Sequence, residues 1–123
     1  MMHCKNVVLV VEDNALVRFL TCELFEAAGF VALQADGTLA AVHVLETRDD
    51  VGLVVSDLAM PSHHDGIALV ELVRKRWRPV KLLVITGNLT ASRCELPRDA
   101  HLFFKPFNDH VLLKAAEDLL QAA

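Results

Sequence analysis

Asn6-Val7-Val8-Leu9-Val10-Val11 is an unbroken aliphatic run that stops abruptly at Glu12-Asp13-Asn14. Continuous rather than alternating apolar residues mark a strand covered on both faces, as strands of parallel sheets are. Asp13 or Asn14 can cap the helix that follows. Leu16, Val17, Leu20, Leu24 and Phe25 supply its helical spacing, and Gly29 stops it. The same strand-then-helix phrase recurs downstream. Residues 30–33 predict a second strand, and Asp36-Gly37-Thr38 opens a helix carrying Leu39, Val42, His43 and Leu45. Residues 52–56 predict a third, buried strand, Gly66 opens a helix ending near Trp77, and residues 80–85 predict a fourth strand. A short helix from about Thr90, broken by Pro97, precedes a fifth strand over His101–Phe104. Asn108-Asp109 then caps a last helix with Val111, Leu112, Ala115, Leu119 and Leu120. Such alternation gives the α/β class. Right-handed crossovers narrow it to a doubly wound five-stranded parallel sheet of order 2-1-3-4-5 with five helices.

The 123 residues predict one domain spanning 1–123. The hydrophobic fraction is 54%, yet no run reaches the ~20 residues that cross a bilayer. No membrane contact is expected. Met1 to Lys5 and the Val/Leu run resemble a signal peptide only superficially, because Glu12-Asp13 interrupts them and no small-residue cleavage site follows. Three cysteines (Cys4, Cys22 and Cys94) are too few and scattered for a disulfide framework or a zinc site, so a reducing cytoplasm is expected. A net charge of −4 argues against nucleic-acid binding. The basic cluster Arg74-Lys75-Arg76 with Arg78 reads as cations at a helix C-terminus.

Function is legible at the points where strands end. Ligands of doubly wound sheets bind beyond the carboxyl ends of the strands, at the switch between the first and third. Asp13 follows the first strand and Asp57 the third, with Glu12 beside Asp13. Clustered carboxylates repel one another and call for a compensating cation. Hard oxygen donors with room for water and phosphate suit Mg²⁺. Thr86 offers a hydroxyl after the fourth strand, and Lys105 an ammonium after the fifth. Singly, each has a bland reading: Asp13 as a helix cap, Thr86-Gly87 as a turn, Lys105-Pro106 as a loop. Their joint placement at successive strand ends is what points to a phosphoryl site.

Val8-Leu9-Val10-Val11-Glu12-Asp13, Asp57-Leu58-Ala59-Met60-Pro61, Ile85-Thr86-Gly87 and Phe104-Lys105-Pro106-Phe107 together resemble the receiver domains of two-component response regulators. The resemblance spans essentially the whole chain and implies a flavodoxin-like fold. It implies that Asp57 accepts a phosphoryl group from a phosphohistidine on a histidine kinase or histidine phosphotransfer protein. Mg²⁺ would be held by Glu12, Asp13, Asp57 and the backbone carbonyl of Ala59. Thr86 and Lys105 would contact the phosphoryl oxygens, and the bond before Pro106 would be cis. The only chemistry implied is the domain's own phosphorylation and dephosphorylation. A downstream protein target and a monomeric or weakly homodimeric state are expected.

Two positions depart from the family pattern. Three residues before Lys105, where an aromatic is usual, stands Leu102; Phe103 and Phe104 read as core residues of the strand. The segment Pro61-Ser62-His63-His64-Asp65-Gly66 reads as a loop one residue longer than the commonest form. Its histidines do not make a metal site, since adjacent side chains diverge and spacing places no third nitrogen or sulfur ligand. The alternative to a phosphoacceptor is a receiver-like interaction module that docks without phosphorylation. An FMN-binding flavodoxin would want a glycine- and hydroxyl-rich phosphate loop where Glu12-Asp13-Asn14 stands. A haloacid-dehalogenase-type phosphatase would want an aspartate two positions after its nucleophile, which neither Asp13 nor Asp57 has.

Overall fold

The computed structural model describes residues 6–58, 63–87 and 96–121, with the backbone alone for His63 and His64. Its elements are β1 (Val7–Val11), α1 (Ala15–Ala27), β2 (Val31–Ala35), α2 (Thr38–Thr47), β3 (Val51–Asp57), α3 (His63–Arg76), β4 (Lys81–Thr86), β5 (His101–Phe104) and α4 (Asp109–Gln121). The strands form one five-stranded sheet of order β2-β1-β3-β4-β5, and every neighbouring pair is parallel. This is the expected architecture. Four helices fall among the described residues; the short helix expected from about Thr90 lies outside them.

All residues of β1 and β3 are buried, because helices cover both faces. Val7, Leu9 and Val11 face α2 and α3 through Ala41, Leu45, Leu69, Val70 and Val73. Val8 and Val10 face α1 and α4 through Cys22, Phe25, Leu112 and Ala116. The two-residue period of a strand thus divides one aliphatic run between two cores. Each Leu or Phe fully buried in this way contributes about 1.5–3 kcal/mol relative to exposure. Cys22 is a packing residue, and burial raises its thiol pKa above the usual range.

Local details differ from the sequence expectations. The second strand runs to Ala35 rather than stopping at Leu33, and Phe30 lies before it. The amide of Phe30 donates to the Phe25 carbonyl at 3.1 Å, and its ring meets Phe25 edge-on, so the C-terminus of α1 claims this residue. Gly29, at φ +98°, makes the turn in between. α3 begins at His63, three residues before the Gly66 start. On α1, Leu16 is 66% exposed and Leu20 55%; only Cys22 and Phe25 of that helix are buried. Phe103 packs into the core, while Phe104 is 40% exposed on the edge strand. The last turn of α3 holds Arg74, Lys75 and Arg76. Arg74 pairs with Asp99, and Arg76 pairs with Glu46 and lies over the Trp77 ring at 4.4 Å. The basic cluster therefore serves a helix terminus and its neighbours.

Candidate functional site

Sheet order sets the carboxyl ends of β1, β3 and β4 side by side, with Val11 opposite Ser56 and Asp57 opposite Ile85. Glu12 continues the ladder, its amide donating to the Ala35 carbonyl at 3.0 Å. Glu12, Asp57 and Thr86 then share one edge. With Ser56 they are the buried polar residues among those described, and buried polar groups call for hydrogen-bond partners.

Lys105 reaches this edge from the turn after β5. Its amide donates to the Thr86 carbonyl at 2.8 Å, and the Lys105–Pro106 bond is cis. Its Nζ lies 2.7 Å from Asp57 Oδ2. Asp57, Lys105, Glu12 and Thr21 line a cavity of about 30 Å³ together with apolar residues such as Val10, Val55, Ile85 and Phe107. The Asp57 carboxylate is itself buried, and there charge interactions are stronger than in water.

Glu12 is a second carboxyl close to Asp57. Burial raises its carboxyl pKa to about 7, against the lowering effect of the Asn14 amide and reinforced by the neighbouring carboxyls of Asp57 and Asp13. The Asn14 amide donates to Glu12 Oε2 at 3.0 Å. Asn14 also caps α1, its Oδ1 accepting from the Val17 amide at 3.0 Å. Asp13 is thereby relieved of the capping role and stays exposed beside Glu12. Among the described residues no three His, Cys, Asp or Glu side chains gather tightly enough to enclose an ion by themselves. The donors are carboxylate oxygens, which suit a hard cation that keeps several waters. Ala59, the expected carbonyl donor, lies outside the described residues.

The raised Glu12 pKa has a measurable sign. Between about pH 4.5 and about pH 7 the folded chain holds a proton there that the unfolded chain has released, so this group's stabilisation is lost as pH rises through that window. In chelator-treated protein, Glu12→Gln should nearly match wild type at pH 5 and exceed it at pH 8. The gain should be on the order of 3 kcal/mol at most in urea unfolding. Equal stability at both pH values would contradict the assignment.

The structure adds residues that the sequence patterns did not single out. Arg18 NH1 donates to the Glu12 carbonyl at 2.8 Å, and its Nε to Gln34 Oε1 at 3.1 Å. Side chains on a helix lean toward its N-terminus, so a cation one turn past the cap falls over the loop holding the acidic pair; that was the available signal. Gly66 packs against the backbone of Leu58, directly after Asp57. Leu102, in the usual aromatic position, packs toward the α2–α3 core. A larger groove of about 630 Å³ lies beside Arg74, Lys75, Leu96 and Pro97. It sits at the far end of α3, and among the described residues it brings no carboxylate cluster together.

Comparison with known proteins bears on the family and the fold. The response regulator receiver domain family model matches residues 8–117. The chain is 31% identical over 122 residues to the response regulator receiver protein CpdR of Brucella abortus, covering 97% of this chain and 99% of CpdR. It is 30% identical to the sensor kinase CckA of the same organism, covering 93% of this chain but 12% of that protein. The CheY-like receiver domain structure from Methylobacillus flagellatus superimposes with a TM-score of 0.80 at 24% identity, covering 93% of this chain and 98% of that one. At that identity the likeness speaks for the fold. Among the described residues no helix is long and apolar enough to cross a membrane. With the family match spanning most of its length and the acidic strand ends in register, the chain belongs to the response regulator receiver domain family.

Proposed function

We propose that this chain is a phosphoacceptor receiver, with residues 1–123 acting as one module and Asp57 as the accepting side chain. The observation that carries the reading is the buried Asp57 carboxylate, set 2.7 Å from the Lys105 ammonium and close enough to Glu12 to raise that residue's pKa. A carboxylate so placed is a nucleophile on a rigid strand tip. In the reaction a phosphorus–nitrogen bond of a donor phosphohistidine breaks as a phosphorus–oxygen bond to Asp57 forms. The electron pair of the broken bond leaves with the imidazole.

Glu12, Asp13 and Asp57, with the Ala59 carbonyl, would hold Mg²⁺, which supplies neutralisation of charge on the transferring oxygens. Lys105 stabilises the negative charge that the added group brings, and Thr86 offers it a hydroxyl donor. Preorganised donors of this kind provide most of the catalysis in phosphoryl transfer. The new dianion then biases the turns carrying Thr86 and Lys105 inward, altering the surface presented to a downstream protein. A histidine kinase or phosphotransfer protein is the donor in this reading, and the setting is the cytoplasm. Neither nucleic acid nor membrane is a partner, and the chain works as a monomer or weak homodimer.

Incubation with acetyl phosphate and Mg²⁺ should add the mass of one phosphoryl group to the intact chain, and a chelator should prevent it. No mass gain with Mg²⁺ present would instead support a docking module that works unmodified, the reading Leu102 favours.

A further inference from the structure

We infer that Arg18 is a positioning residue for the Glu12–Asp13 pair, setting the direction in which both carboxylates leave β1 and thereby the affinity for a divalent cation. The inference deepens the receiver reading and rests on it. The backbone of Glu12 is held on both sides. Its amide donates to Ala35 at 3.0 Å, and its carbonyl accepts from Arg18 at 2.8 Å. The second arm of the same guanidinium is fixed by Gln34 on β2 at 3.1 Å. One side chain on α1 thus ties together the end of β1 and the edge strand, at the residue preceding Asp13.

Both of these partners are neutral oxygens, so the contact is not an ordinary surface ion pair, whose contribution is small. A planar guanidinium meets two acceptors at a fixed angle, and a lysine ammonium does not reproduce that fork. Without it the Glu12 carbonyl loses a partner that helps fix the peptide leading to Asp13. Removing groups that orient metal ligands typically costs about 10- to 100-fold in metal affinity.

The test is calorimetric titration of Mg²⁺ into unphosphorylated wild type, Arg18→Ala, Arg18→Lys and Gln34→Ala, paired with acetyl phosphate reaction rates over a range of Mg²⁺. Arg18→Ala should weaken Mg²⁺ binding about tenfold or more, and Arg18→Lys should recover part of the loss. At saturating Mg²⁺ the Arg18→Ala rate should approach that of wild type, whereas at low Mg²⁺ it should fall behind. Unchanged Mg²⁺ affinity, or a rate defect persisting at saturation, would overturn the positioning role. If Arg18→Ala does not fold, wild-type affinity in both Arg18→Lys and Gln34→Ala would overturn it equally. A wild type that neither binds Mg²⁺ nor gains a phosphoryl group would overturn the receiver reading itself.

Discussion

Asp57→Asn is expected to reduce phosphoryl incorporation from acetyl phosphate to the detection limit of intact-mass measurement, with the fold retained. The amide is nearly the same size as the carboxylate, so the well-packed tip of β3 accommodates it. It lacks the anionic oxygen that attacks phosphorus, and it leaves Lys105 a neutral acceptor in place of the carboxylate now 2.7 Å away. Glu12 does not stand in, because its Oε2 is held by the Asn14 amide at 3.0 Å. The substitution also removes one of the charges that raises the Glu12 pKa, so the pH dependence described for Glu12 should weaken in the same variant. Incorporation at the wild-type rate would mean that the acceptor is another residue.

Gly66→Ala should have the second large effect, and on stability first. In a helix this exchange ordinarily gains up to about 1 kcal/mol from propensity. Here a Cβ at position 66 would lie 2.7 Å from the carbonyl carbon of Leu58 and closer still to its oxygen. Both are backbone atoms, so no rotamer change relieves the overlap. Leu58 is 1% exposed, and its amide donates to the Ile85 carbonyl at 2.9 Å. Either α3 lifts from the sheet or the peptide next to Asp57 moves. Overpacking of this kind costs about 1–3 kcal/mol, occasionally more, enough to reverse the sign expected from propensity. Thermal unfolding should shift down by roughly 5–10 °C, and phosphorylation should slow in whatever folded protein remains. A melting temperature at or above wild type would show that the close approach is absent in solution.

The strand order and the acidic edge were legible because they rest on strong local signals. Aliphatic runs ending in Glu12-Asp13, Asp57 and Thr86 leave little freedom for where the strand tips lie. Helix faces were harder to read. α1 carries apolar residues around much of its circumference, so spacing identified a helix without deciding between Leu20, which is exposed, and Cys22, which is buried. The start of α3 was misplaced because glycine is a poor helix former. The close approach to Leu58 requires a glycine inside the helix, and that requirement is tertiary. Arg18 escaped for a similar reason, since its acceptors are a backbone carbonyl and Gln34, a side chain on a different strand. Phe104 looked like core, and only the edge position of β5 explains its exposure.

Trp77, the single tryptophan of the chain, follows the last residue of α3 and is separated from the Asp57 end of that helix by 14 residues, about 21 Å of rise. Stacked under Arg76 and partly buried in the core, it is an intrinsic fluorophore facing away from the chemistry. At that distance its emission is expected to report loss of the fold rather than occupancy of the aspartyl pocket, which a titration with Mg²⁺ and acetyl phosphate checks. Unfolding read at this indole then reports the fold, and kinetics at the pocket call for a label placed elsewhere.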